Sequence, residues 1–184
     1  MASQVSTRRY LFSEDSALLG TARSEMENGG VGRLLEIGAG GGRNLRDFCK
    51  SFDLAVGTDI LPMSEMRSQR TEGVEIIIAD RGTCFRSGTF DMVVFNPPYL
   101  PSDSAFDRAV DGGRGGVEVP LSFLDEALRV STPTSKIVAI LSSHSDLEEF
   151  EARCRKSRLQ FNIIAERKLF FETLYAYLIE RKPC

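Results

Sequence analysis

Four polar side chains stand where apolar runs end. Glu36 follows Leu34-Leu35, Asp59 closes the run Leu54 to Thr58, Asp80 follows Val74 to Ala79, and Asn96 follows Met92-Val93-Val94-Phe95. Asn96 opens the turn Asn96-Pro97-Pro98-Tyr99. Its prolines fix their own φ angles and push the preceding residue out of the helical region, so an amide and a phenol are held on a stiff frame where a strand stops. In an open α/β sheet, ligands bind at that end of the strands. Taken alone, Asn-Pro-Pro-Tyr is as readily a strand-ending turn as a site. Each carboxylate alone is equally a strand-end punctuation mark. Their joint placement on one rim is what points to chemistry.

The segment Glu36-Ile-Gly38-Ala-Gly40-Gly-Gly42 sits at the first strand-to-helix turn. Glycines let the chain turn tightly and let a ligand approach the backbone. The spacing is not the dinucleotide fingerprint, because the third glycine of that pattern is replaced by Arg43. It is not a phosphate-binding Walker loop either, since no Gly-Lys-Ser/Thr follows. What remains is Glu-x-Gly-x-Gly-x-Gly. An acidic residue there repels a pyrophosphate and suits a ligand carrying an ammonium or sulfonium charge. Asp59 lies 21 residues after Gly38, where a carboxylate can accept both ribose hydroxyls. Asp80, one strand further on, is placed to reach an exocyclic amine.

The elements that must position these groups read as follows. Ser13 with acidic residues behind it caps an amphipathic helix over 14–27. Apolar strands are expected at 32–37, 54–58, 74–79, 90–95 and 136–141, and helices at 43–51, 62–70, 118–130 and 146–157. Two final strands, 160–168 and 172–181, have no helix between them. Continuous apolar strands alternating with helices indicate an α/β fold with a doubly wound, mostly parallel, Rossmann-like sheet. The last two strands form an antiparallel hairpin, which makes seven strands in all. The stretch 100–117, with Gly112-Gly113-Arg114-Gly115-Gly116, is long for a connection, and such loops usually serve function. No internal repeat or interdomain linker is visible, so 1–184 reads as one domain with a polar, flexible segment at 1–9.

Composition narrows the classes. At 184 residues, 42% apolar and 27% charged, the chain is long enough to bury a substantial core. No apolar run approaches the length of a membrane span and no signal-peptide pattern opens the chain, which implies a cytoplasmic protein. The net charge of −3 gives no electrostatic footprint for sequence-indifferent nucleic-acid binding. The basic clusters Arg8-Arg9 and Arg153, Arg155, Lys156 read as solvated faces. Cys49, Cys84, Cys154 and Cys184 show no Cys-x-x-Cys spacing, and the lone histidine, His144, lies in a Ser-Ser-His-Ser loop. No metal site and no disulfide framework is expected; the cysteines read as free thiols.

Together these segments resemble the class I S-adenosylmethionine-dependent methyltransferases. They are most similar to the HemK-type release-factor glutamine N5-methyltransferases, in their short archaeal and eukaryotic branch. Tyr10-x-x-Ser-Glu-Asp-Ser16-x-Leu-Leu is similar to the family's N-terminal motif, although Phe12 stands where proline is usual. Glu36-x-Gly-x-Gly-x-Gly is the general cofactor loop. Asp59-Ile60-x-Pro62 looks like Asp-Ile-Asn-Pro, with Leu61 in place of asparagine. Asn96-Pro-Pro-Tyr99 is the target-amine motif. Gly112 to Val119 resembles Gly-Gly-x-x-Gly-x-Glu-Val, and Glu172-Thr-Leu fits the entry to the last strand. The resemblance covers about residues 10–180 and lacks the N-terminal helical domain of the bacterial members.

The resemblance implies the class I methyltransferase fold. It implies S-adenosyl-L-methionine as cofactor and S-adenosyl-L-homocysteine as product. It implies a cofactor pocket lined by Ser16, Glu36, Gly38, Gly40, Gly42, Asp59, Ile60, Asp80, Arg81 and Asn96, with Arg81 contributing mainly through its backbone. It makes Asn96, Pro97 and Tyr99 the catalytic set. The Asn96 side-chain oxygen and the Pro97 carbonyl accept both N–H bonds of a planar amine, aim its lone pair at the methyl and favour the charge developing on nitrogen. Tyr99 packs on the flat face. Any planar –NH2 fits that description: a glutamine amide, an adenine N6 or a guanine N2. The resemblance favours the Gly-Gly-Gln tip of a class I translation termination factor, with a protein lysine as another acceptor proposed within this branch. The alternatives left open are a nucleic-acid amino-methyltransferase and a non-catalytic Rossmann-like subunit. Strand 74–79 is expected at a sheet edge, where Ile76-Ile77-Ile78 forms a liability unless covered. The family's small zinc-binding activator protein is the expected partner there.

Overall fold

The computed structural model describes residues 18–21, 32–61, 74–101 and 110–183. Among the described residues, seven strands and three helices follow one another in this order: β1 (Arg33–Ile37), α1 (Arg43–Phe48), β2 (Leu54–Asp59), β3 (Glu75–Ile78), β4 (Phe90–Phe95), α2 (Glu118–Val130), β5 (Ser131–Ser142), α3 (Leu147–Lys156), β6 (Leu159–Lys168) and β7 (Thr173–Arg181). A single 3-10 turn, Arg114–Gly116, leads into α2. Leu18–Thr21 is helical, with Leu18 and Leu19 buried. The rest of the helix expected over 14–27, the helix expected at 62–70, and the segment 1–9 lie outside the described residues.

The sheet runs β3-β2-β1-β4-β5-β7-β6. The first five strands pair in parallel, and β7 lies antiparallel between β5 and β6. The strand order therefore reverses between β1 and β4. Connections leave these two strands toward opposite sides, which opens a crevice at their carboxyl ends.

Alternation along each strand sorts the core into two layers. Leu35, Ile37, Val93, Phe95, Ile137 and Ala139 face the layer that holds Leu124, Ala127 and Val130 of α2 and Phe150 and Cys154 of α3. Leu34, Met92, Val94, Val138 and Ile140 face the layer that holds Leu18, Leu19, and Leu45 and Phe48 of α1. Helix α3 begins where Asp146 accepts a hydrogen bond from the Glu149 N–H. Acidic Glu148 and Glu149 in its first turn and Arg153, Arg155 and Lys156 in its last oppose the helix dipole favourably.

Most element boundaries fall within one residue of the sequence reading. Helix α1 stops earlier, at Phe48, and β3 at Ile78. More substantially, β5 begins at Ser131 and not near Lys136. Ser131, which caps α2, is already extended, so the chain enters the sheet at once. The pairing then slips, Phe90 facing Ser131 but Met92 facing Lys136. Pro133 falls inside that irregular stretch, where it need not supply a ladder N–H.

Candidate active site

Glu36 is the penultimate residue of β1, and alternation turns it toward the layer of α1. It is 4% exposed. Asn44 Nδ2 donates to Glu36 Oε1 at 3.1 Å, while Oε2 is buried with no hydrogen-bond partner among the described residues. Burial pushes the Glu36 carboxyl up to about 7; Asn44 and the Leu45 N–H pull it down, and the nearby Asp59 charge pushes it further up. A buried acid with an unsatisfied oxygen is a costly arrangement unless something cationic or hydrogen-donating completes it.

The loop after β1 is built to leave room. Gly38 and Gly42 both have φ 76° and Gly40 has φ 51°, a region that side chains rarely adopt. The N–H groups of Gly38 and Ala39 both donate to the Thr58 carbonyl, at 2.8 and 2.9 Å, which pins the loop to β2. At Gly42 a Cβ would lie 2.6 Å from Val74 Cγ2, so the chain itself packs there. At Gly40 a Cβ would meet nothing within 4 Å. Gly40 thus faces open space beside Glu36 and Asp59.

Asp59 ends β2 and is buried. Its Oδ2 accepts from the Gly40 N–H at 2.7 Å and its Oδ1 from the Leu61 N–H at 2.8 Å. A carboxylate has about four acceptor positions, so both oxygens keep capacity for hydroxyl donors. Ile60, next in the chain, is exposed. Asp80 stands two residues past β3, exposed, and its carboxylate is engaged by the Arg81 guanidinium, with Nε to Oδ1 and Nη2 to Oδ2 both at 3.0 Å. Arg81 has φ 52°. The strand order places Asp80, Asp59, Glu36 and Asn96 in sequence along one rim. Ser16 lies outside the described residues.

Asn96 follows β4 directly. Pro97 and Tyr99 are buried, and Tyr99 belongs to the same apolar cluster as Leu18, Leu19 and Leu174. The turn is held by its own chain. Leu100 N–H donates to the Val110 carbonyl at 2.9 Å, and Gly112 N–H to the Leu100 carbonyl at 2.8 Å. Glycines in a loop of this kind can let a substrate backbone approach closely. Here that approach is filled from within. A Cβ on Gly112 would lie 2.7 Å from Tyr99 Cα and 2.9 Å from Gly116 Cα. Gly116 packs against the Tyr99 carbonyl and Pro101, and Gly113 against Glu118.

Gly112→Ala is therefore expected to destabilise the protein by about 1–3 kcal/mol, since both obstacles are backbone and cannot rotate away. Thermal denaturation checks it. An unchanged melting temperature would remove the glycine turn as a support of Asn-Pro-Pro-Tyr.

Two supporting residues escaped the sequence reading. Asn44 orients Glu36 from α1. Ser145, buried beside His144, donates through Oγ to the Tyr99 carbonyl at 3.1 Å. Neither carries a sequence signal, because each acts across a contact set by packing. His144 beside it is exposed. Cys49, Cys84 and Cys154 are free thiols, and no group of three metal-ligating side chains occurs among the described residues. No helix among them is long and apolar enough to cross a membrane.

The residues present fit S-adenosylmethionine. A buried, orphaned Glu36 oxygen, open space at Gly40 and the spare acceptors of Asp59 are the features a cationic sulfonium nucleoside needs. No family model matches the chain. A Methanocaldococcus jannaschii protein, provisionally named a protein N5-glutamine methyltransferase, is 29% identical over 176 residues, covering 90% of this chain and 88% of that one. Among solved structures, the E. cuniculi Mtq2-Trm112 complex, which methylates the eRF1 translation termination factor, superposes with a TM-score of 0.78 at 26% identity. The match covers 94% of this chain and 98% of that one. The ribosomal protein L11 methylase of Lactobacillus delbrueckii subsp. bulgaricus shares the fold, with a TM-score of 0.61 at 16% identity over 91% of this chain and 78% of that one. With its seven-stranded mixed sheet and its crevice at the β1/β4 switch point, the chain has the class I methyltransferase fold and is an S-adenosylmethionine-dependent methyltransferase, similar along nearly its whole length to the M. jannaschii protein and to the E. cuniculi chain.

Proposed function

We propose that the chain methylates the side-chain amide of a protein glutamine, in the Gly-Gly-Gln tip of a class I translation termination factor. The observation that carries this reading is the stiff Asn96-Pro-Pro-Tyr99 turn beside the acidic cofactor wall. A chain that covers 94% of this one and methylates a termination factor supports it. S-adenosylmethionine supplies an electrophilic methyl group. Asn96 Oδ1 and the Pro97 carbonyl hold the two N–H groups of the amide. That aims the nitrogen lone pair and stabilises the charge that develops on it. Tyr99, largely buried, fixes the depth of the turn and offers the acceptor only a small part of its ring. Glu36, Asp59 and the Gly38–Gly42 loop hold the cofactor, with Ile60, Asp80, Arg81 and Ser16 lining its nucleoside end. The Asp80–Arg81 ion pair keeps Arg81 acting mainly through its backbone.

The test is transfer of labelled methyl from the cofactor, offered termination factor and total RNA side by side. Label on the glutamine supports the reading. Label on RNA replaces it with the nucleic-acid alternative, and no label on either leaves a non-catalytic subunit.

The β3 edge carries the second part of the proposal, a small zinc-binding activator subunit. Ile77 and Ile78 are 40% and 49% exposed on the outermost strand. Ile76 is spared, since Gly42 leaves room for it against the loop. An exposed apolar edge invites strand addition. The E. cuniculi relative is a complex with Trm112. Ile78→Glu is expected to weaken capture of the co-expressed activator by about tenfold or more, read by size-exclusion mass. Equal copurification of the variant would move the interface elsewhere. The whole chain, 1–184, acts on this reading as one methyltransferase domain in the cytoplasm.

A further inference from the structure

The turn between β6 and β7 breaks a local rule. Lys168 pairs with Thr173, and Leu169 N–H donates to the Glu172 carbonyl at 2.8 Å, which leaves a two-residue loop of Phe170 and Phe171. Such loops favour glycine, asparagine and aspartate. Here two phenylalanines stand 92% and 83% exposed, with ring centroids 4.6 Å apart and planes at 82°. Local rules are most often broken at functional sites.

The position of the tip gives it a use. Phe95 aligns with Ala139, and Ala139 with Tyr177. The tip is therefore about 10 Å sideways from the acceptor turn, two strand spacings away, and Thr173 is about 13 Å further along the strand direction than the end of β4. It stands as a wall beside the mouth of the site.

The loop 142–146 ties that wall to the acceptor turn. Ser142 Oγ donates to Glu172 Oε2 at 2.6 Å. Thr173 N–H donates to Ser143 Oγ at 2.9 Å, and Ser143 N–H to the Thr173 carbonyl at 2.8 Å. Ser145 grips the Tyr99 carbonyl, and Asp146 N–H donates to the Gly115 carbonyl at 2.8 Å. Hairpin, glycine turn and Asn-Pro-Pro-Tyr thus share one rigid junction. Leu100, also exposed, continues the apolar character on the acceptor side.

We propose that Phe170 and Phe171 are the anchor that docks the folded acceptor protein, gripping an apolar patch beside its target glutamine loop and setting the distance from that patch to Asn96. The inference rests on the protein-glutamine reading above. The junction makes the tip continuous with the acceptor turn, and a macromolecule delivering a side chain to Asn96 must pass this wall. Asp146, Glu148 and Glu149 on the neighbouring segment, with the net charge of −3, disfavour a polyanion and favour a protein surface. Paired exposed aromatics supply large contact area at low entropic cost, as binding hot spots do.

The test is the double variant Phe170→Ser/Phe171→Ser, in enzyme purified from cells co-expressing the activator. Both rings are exposed, so melting temperature is expected to hold. KM for the intact termination factor is expected to rise about tenfold or more, with kcat unchanged. Methylation of a short peptide spanning Gly-Gly-Gln, and affinity for S-adenosylhomocysteine, are expected to stay within about twofold. Phe170→Leu/Phe171→Leu keeps the apolar contact and should restore most of the KM. An unchanged KM overturns the proposal. So does an equal loss on the short peptide, which would mean a distorted site. A halved mass in light scattering would instead give the tip to a second copy, and loss of RNA retention would give it to nucleic acid. If the wild-type enzyme labels neither factor nor peptide, the glutamine reading and the anchor fall together; if it labels both and only the variant fails to differ, the anchor alone falls.

Discussion

Asn96→Ala is expected to lower methyl transfer by about 10²–10³-fold while S-adenosylhomocysteine still binds within a few-fold of wild type. The magnitude is that of removing one preorganised dipole from the place where charge develops in a transition state. An amide nitrogen is a poor nucleophile because its lone pair is delocalised into the carbonyl. Something must hold the group so that the lone pair faces the methyl, and on the proposed reading that task falls on the Asn96 side chain. Truncation leaves the turn itself intact, because Pro97 and Pro98 set its geometry and the Gly112–Gly116 backbone supports it. The loss should therefore appear in kcat with cofactor affinity spared. Methyl transfer to the termination factor and calorimetry with the product nucleoside measure the two separately. Undiminished transfer would take Asn96 out of the acceptor clamp. A parallel collapse of cofactor binding would place it in the cofactor wall alone.

Glu36→Gln has the second large effect, and its sign depends on pH and ligand. The buried carboxyl sits at about 7 against an ordinary 4.5, so the folded protein binds this proton more tightly than the unfolded chain does. Its favourable contribution is fully present below about 4.5 and is lost as pH rises toward 7. Across that window the ligand-free wild-type protein loses on the order of 3 kcal/mol through this one group. Glutamine cannot ionise. Relative to wild type, the ligand-free variant is expected to gain stability as pH rises from 4.5 to 7 and to keep the advantage above it. Taking the difference between the two proteins cancels the other titrating groups. Denaturant unfolding at pH 5 and pH 8 checks it, and parallel curves would contradict the burial argument.

The cofactor reverses the balance. A cationic ligand against Glu36 favours the carboxylate, so wild-type affinity is expected to rise with pH through about 7 and binding to release a proton. In Glu36→Gln affinity should fall by tenfold or more on the proposed role, with that pH dependence gone. Calorimetry in buffers of different ionisation enthalpy reads the proton directly. The predicted pattern is a variant more stable when empty and weaker when loaded, which separates a binding residue from a merely structural one.

The groups that make up the rim were legible in the chain itself because their signals are local. An apolar run ending in a carboxylate, two prolines after an asparagine, and glycines where φ must be positive each express constraints acting over a few residues. The same kind of signal exposed the parallel strands, the terminal hairpin without an intervening helix, and α2 and α3 nearly to the residue. It was weaker at β5, where Ser131 to Ser135 precede the apolar run expected as strand at 136–141 and become strand only because α2 delivers them alongside β4.

What the tertiary structure alone decided concerns contacts between distant segments. That Glu36 keeps one oxygen unsatisfied depends on α1 covering it. Asp80 is answered by Arg81 because of a left-handed backbone turn that no pattern foretold. Gly112 and Gly116 proved to fit the chain's own Tyr99 and not an incoming backbone, a choice only packing could make. Asn96 and the phenylalanine hairpin share a junction because antiparallel β7 brings Glu172 and Thr173 to the end of β5, next to Ser142 and Ser143. Residue types and spacing determined which chemistry the chain can do, since those are properties of short segments. Burial, pKa and the neighbours of the acceptor turn arise when segments far apart in the chain exclude water together, and the fold decided those.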